Sequence, residues 1–92
     1  MTETIPYSFT RYFESVFKER TGLELSEDVG AEIMANIKNI TPHKKVDNKG
    51  RYSEYFTFLL CNELITFVCD AHTHKVITCV KETHHDVNFY KK

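Results

Sequence analysis

Side chains able to do chemistry are concentrated in the second half of this 92-residue chain. Histidine has the ordinary pKa nearest neutrality, which makes His72, His74, His84 and His85 the candidates for a general base. Two of them fall in the run Cys69-x-x-His72-x-His74, and with Cys79 and the His84-His85 pair they supply donor types that zinc accepts. Their spacing is not that of a finger or ribbon, and alternate residues of a strand point to opposite faces. Neither a metal nor another cofactor is expected. A cysteine nucleophile needs a cation or a helix N-terminus to lower its pKa. Cys61 lies at a turn with no histidine placed beside it, whereas Cys69 and Cys79 lie inside strand patterns and read as small core hydrophobes. The remaining feature is a local excess of positive charge. His43, Lys44, Lys45, Lys49 and Arg51, followed by Tyr52 and Tyr55, mix cations with aromatics as single-stranded nucleic-acid sites do.

The elements that must position these groups follow from periodicity. Phe9, Tyr12, Phe13, Val16 and Phe17 recur at helical spacing behind a capping Ser8, and the pattern ends near Thr21-Gly22. Ser26 caps a second helix from about Glu27 to Asn39, whose stripe is Val29, Ile33, Ile37 and Ile40. Thr41-Pro42 ends it, because proline disfavours helical geometry in its predecessor. Pro42 to Gly50 then reads as a loop with Asp47-Asn48-Lys49-Gly50 as its turn. From Arg51 the period becomes two, and three strands follow: one running from Arg51, a second from Leu64 to Cys69, and a third from Lys75 to Val80.

The expectation is an α+β fold of order ααβββ, two N-terminal helices on a three- to four-stranded antiparallel meander. It divides one domain, 1–92, into an N-terminal arm (1–7), a helical pair (8–40), a basic loop (41–50), a β-meander (51–80) and a C-terminal tail or edge strand (81–92). A short sheet leaves two edges, which invite a homodimer through strand pairing or capture of a peptide.

Composition sets the outer limits. Hydrophobic residues at 41% and seven Phe with five Tyr suffice for a compact core. The net charge of −1 means that any polyanion site must be local. No run approaches the ~18 apolar residues of a membrane span, and the first residues lack the pattern of a secretory leader. A cytoplasmic protein with reduced thiols is expected.

The run Phe17-Lys18-Glu19-Arg20-Thr21-Gly22-Leu23-Glu24-Leu25-Ser26-Glu27-Asp28-Val29, with Gly50-Arg51-Tyr52 and Val76-Ile77-Thr78, resembles the small toxin-type ribonuclease superfamily that includes RelE-like and colicin-like RNases. The resemblance extends over about residues 9 to 80. It implies metal-independent cleavage of RNA, in which a base activates the ribose 2′-hydroxyl and cations steady the phosphate. Carried onto this chain, it implies a site of Arg51, Tyr52 and Thr78 with a histidine, His74, while Arg20, Lys44, Lys45 and Lys49 hold the RNA. Active members carry a histidine and an arginine on the first helix at positions aligned with Tyr12 and Val16. Periodicity instead puts both on the apolar stripe, so the alternative is a non-catalytic module on the same fold. Such a module would bind a protein partner, as an inhibitor or phage-type accessory factor does, the partner being an inhibitor, an antitoxin or a target.

Overall fold

The computed structural model describes residues 7–82. The elements in chain order are β1 (Ser8–Phe9), α1 (Arg11–Thr21), α2 (Glu27–Asn39), β2 (Lys44–Asn48), β3 (Arg51–Leu60), β4 (Glu63–Asp70) and β5 (Lys75–Lys81). The sheet order is β1-β5-β4-β3-β2. β2 to β5 form the antiparallel meander, and β1 adds to β5 in parallel. The class is therefore α+β with two helices, as expected, but the sheet has five strands and is mixed.

The two additional strands have separate causes. Ser8 and Phe9 do not begin the first helix. The Ser8 N–H donates to the His74 carbonyl at 3.0 Å and the Thr10 N–H to that of Val76 at 3.1 Å, which fixes this segment on β5. The helix cap moves accordingly to Thr10, whose hydroxyl oxygen accepts from the Phe13 N–H at 3.0 Å. At the other edge, the basic stretch expected as a loop holds β2. Its two-residue connection to β3, Lys49-Gly50, has both residues at positive φ (57° and 85°). That geometry matches the twist of a tight hairpin, and the Asp47 carboxylate closes it by accepting from the Gly50 N–H at 2.9 Å. Lys44 and Lys45 hide this strand from a hydrophobicity count, because only Val46 in it is aliphatic.

One face of the sheet carries the core. Phe56 opposes Phe67, which opposes Cys79 across β3, β4 and β5. These pack with Leu60, Ile65, Cys69 and Val76 against Phe13 and Phe17 of α1 and Ile33 and Ile37 of α2. The buried stripe of α1 is Phe13, Phe17 and Thr21, narrower than the expected one. Tyr12, expected in that stripe, is 53% exposed. Val16 is half-buried. Gly22 ends α1 in the left-handed conformation (φ 78°), donating to the Lys18 carbonyl at 2.7 Å. Gly30 has another reason: a Cβ there would stand 3.3 Å from the Phe9 ring, so its absence lets β1 lie against α2.

A bulge lies on β5. Val68 pairs with Thr78 but Cys69 with Val76, leaving Ile77 as the extra residue. Lys81 closes β5, one residue beyond the expected end at Val80. Of the expected tail 81–92, residues 83–92, including His84, His85 and Phe89-Tyr90-Lys91-Lys92, lie outside the described residues, as do residues 1–6 of the expected arm 1–7. No helix of the described residues is long and apolar enough to cross a membrane.

Thr10 joins three elements at once, since its hydroxyl also donates to the Val76 carbonyl at 3.1 Å. Thr10→Ala is expected to lower unfolding free energy by ~1–2 kcal/mol in urea denaturation, with Thr10→Ser retaining most of it. An unchanged midpoint for Thr10→Ala would contradict the role given to this junction.

Candidate functional site

The residues expected to form the site fall into three places. At the free length of β5, the Arg20 guanidinium donates to the Thr78 hydroxyl at 2.9 Å and to the Cys79 carbonyl at 3.2 Å. Its other nitrogen donates to the Tyr12 hydroxyl at 3.1 Å. Arg20 and Thr78 thus meet, with Tyr12 as the third member that the helical stripe concealed. The guanidinium wraps the strand edge where β1 has already ended, satisfying a carbonyl that would otherwise point outward.

The second place is the β4–β5 turn. Asp70 organises it: one carboxylate oxygen accepts from the backbone N–H groups of His72 (2.7 Å) and Thr73 (3.0 Å), and the other accepts from Arg51 at 3.3 Å. Tyr52 contributes its carbonyl to the Ala71 N–H at 2.9 Å. The His74 N–H donates to the Asp70 carbonyl at 2.8 Å, and its ring stacks on Tyr7 with centroids 4.4 Å apart. Arg51, Tyr52 and His74 therefore gather at one end of the sheet, with Lys49 in the neighbouring hairpin turn. Thr78 does not join them. It is level with Tyr55, four residues from Arg51 and two strands away, which separates the two Cα atoms by roughly 16 Å.

Beside this turn, on the helix-side face, Glu54 is a carboxylate with only 14% of its side chain exposed, and Lys45 approaches it to 3.7 Å. Burial, then the charge of Glu54, raises the Tyr7 phenol above its ordinary value. Tyr7, Glu54 and Asp70 were not legible as site members, because a strand glutamate or turn aspartate has no distinguishing spacing.

The third place is the sheet face away from the helices. Lys44 lies over the Tyr55 ring, 5.5 Å from its centroid, and the His43 ring meets Tyr55 edge-on at 6.5 Å. From His43 a hydrogen-bonded chain crosses the sheet: Nε2 to the Thr57 hydroxyl at 2.8 Å, Thr57 to Thr66 at 2.7 Å, and Thr66 to a Glu82 carboxylate oxygen at 2.6 Å. Proton accounting gives this chain a direction. A carboxylate only accepts, so Thr66 donates to Glu82, Thr57 donates to Thr66, and His43 donates from Nε2 to Thr57. His43 is therefore not a base for the Thr57 hydroxyl. Beyond the threonines the face turns aliphatic at Leu59 and Val80, 63% and 46% exposed.

Among the described residues no group of three or more His, Cys, Asp or Glu side chains could hold a metal ion. The residues of donor type weighed for zinc separate, with Cys69 in the core and His72 exposed in the turn. Comparison with family models, curated proteins and solved structures finds no match. The resemblance to toxin-type ribonucleases rests on the quoted residues alone.

Burial pushes the Cys69 thiol up to about 12, helped by the Glu54 charge, and the Cys79 thiol up to about 11 against the pull of Arg20. Cys61 is exposed. Ellman's reagent on the native protein at pH 7.5 is expected to label one thiol promptly and the other two only after unfolding; prompt labelling of three would contradict the burial. The Asp70 carboxyl is held below its ordinary value, first by the Thr73 N–H and then by the His72 N–H and Arg51. A depressed carboxyl stabilises the fold above its unfolded pKa, about 3.9, and loses that contribution as pH falls through the folded pKa. The stability gap between wild type and Asp70→Ala should therefore be level above about pH 5 and shrink below about pH 4 in urea titrations. A gap that stays constant down to pH 2 would contradict this.

Proposed function

We propose that this protein is RNA-directed and holds single-stranded RNA on the helix-free face of its sheet. The observation that carries the proposal is the cation and aromatic cluster there: Lys44 over the Tyr55 ring, with His43 at its edge. Arg51 lies on the same face at the start of β3, four residues before Tyr55 and beside Asp70. A base can stack on a tyrosine whatever its identity, while lysine and arginine meet the backbone phosphates. The affinity of such a site depends on salt and on one ring, which suits a chain whose net charge is only −1.

Cleavage by 2′-hydroxyl attack is a second reading, for an RNA strand that wraps the β4–β5 end of the sheet, because the His74 ring stacks on Tyr7 at the helix-side face while Arg51 lies on the helix-free one. It is favoured by Arg51 and His74 both attaching to the β4–β5 turn through Asp70. In it, His74 serves the proton transfer, Arg51 steadies the phosphate, and Tyr52 lines the approach; Thr78 and Arg20 hold the strand edge. A non-catalytic role toward a protein partner is favoured by the aliphatic end of the same face, at Leu59 and Val80.

The test is fluorescence anisotropy with a labelled single-stranded RNA dodecamer at 50 and 200 mM salt, gel analysis of the same mixtures reporting cleavage. Tyr55→Ala is expected to weaken binding by ~1–3 kcal/mol, and Lys44→Ala to reduce the salt slope by about 0.7. Affinity unchanged in both variants would remove the proposed site. Intact RNA with undiminished binding would remove the cleavage reading alone.

A further inference from the structure

A shallow groove of about 510 Å³ opens between the start of α1 and the first half of α2. Its floor is apolar, formed by Phe9, Leu25, Ala31 and Met34, and Glu14 and Glu27 stand on its rim. The floor is built in advance of any occupant. Phe9 stacks on the core residue Phe13 with centroids 4.8 Å apart. It also lies where a Cβ on residue 30 would stand 3.3 Å from its ring, so Gly30 is what permits this seat. A glycine inside a helix weakens it relative to alanine, a cost the close approach of Phe9 explains.

The rim has a single sign. Glu14 of α1 and Glu27 of α2 form no ion pair among the described residues; Lys18 is engaged by Glu24 at 2.6 Å. Helix dipoles account for acidic residues in first turns, but not for an apolar floor between two of them. Met34 adds an unbranched, adaptable side chain of the type that moulds to varied apolar anchors.

We infer that this groove docks a basic segment of a partner protein, one large apolar side chain seated on Phe9 and Met34 and flanking lysines or arginines facing Glu14 and Glu27. The complementarity of charge selects this occupant over an acidic or purely apolar one. The surface lies on the helical side of the molecule, opposite the cluster around Tyr55, and the inference does not rest on RNA binding.

A display library of random twelve-residue peptides selected against the full chain tests it. Winning peptides are expected to carry net positive charge around a Leu, Phe or Trp. They should shift the amide resonances of Phe9, Leu25, Gly30 and Met34, and lose at least tenfold in affinity against Glu14→Lys/Glu27→Lys. That variant leaves the floor intact, and its amide spectrum reports whether it folds. Winners without basic residues, shifts confined to other surfaces, no winners at all, or a dimer of the chain with Met34 in its interface would each overturn the inference.

Discussion

Two helices of eleven and thirteen residues can cover only one face of a five-stranded sheet. Phe13, Phe17, Ile33 and Ile37 fill that face against Phe56, Ile65 and Phe67, and the opposite face has no helix among the described residues. That shortage governs the rest of the molecule. A sheet side without a helix faces water, and here its threonines join into one directed chain from His43 to Glu82. The space beside them is left for a cation resting on a tyrosine.

Edges pose the companion problem. The free length of β5 is occupied by side chains, because Thr10 and Arg20 reach the Val76 and Cys79 carbonyls. The opposite edge, β2, carries Lys44 and Lys45, a charged rim of the kind that discourages pairing between molecules. A homodimer joined through β2 would place these lysines beside those of a second copy. Arg20 and Thr78, which resemblance assigned to RNA binding and catalysis, thus have a structural task at the edge already.

Much of the fold was legible because strong patterns speak for themselves. Both helices and the three long strands follow from helical and alternating spacing of Phe, Ile, Leu and Val. What escaped was specified by partners far away in sequence. β1 is two residues long and exists only because His74 and Val76 accept its hydrogen bonds. β2 exists because a two-residue turn folds charged residues back onto β3. Tyr12 was misplaced because the buried line of α1 is the narrow i, i+4 series Phe13, Phe17 and Thr21, and Tyr12 stands at its margin with its hydroxyl on Arg20. Of the residues expected to form one site, Arg51, Tyr52 and His74 lie at one end of the sheet, Arg51 on the helix-free face and the His74 ring on Tyr7 at the helix side. Thr78 was displaced by the distance across two strands, and Glu54 and Asp70 had no signature to find.

Amide chemical-shift mapping tests directly the proposal that the helix-free face is the working surface. Titrating labelled protein with a single-stranded RNA decamer should move the resonances of Lys44, Tyr55, Thr57 and Arg51 most, with α1 and α2 nearly still. Shifts concentrated on the helices, or none at saturating RNA, would contradict it.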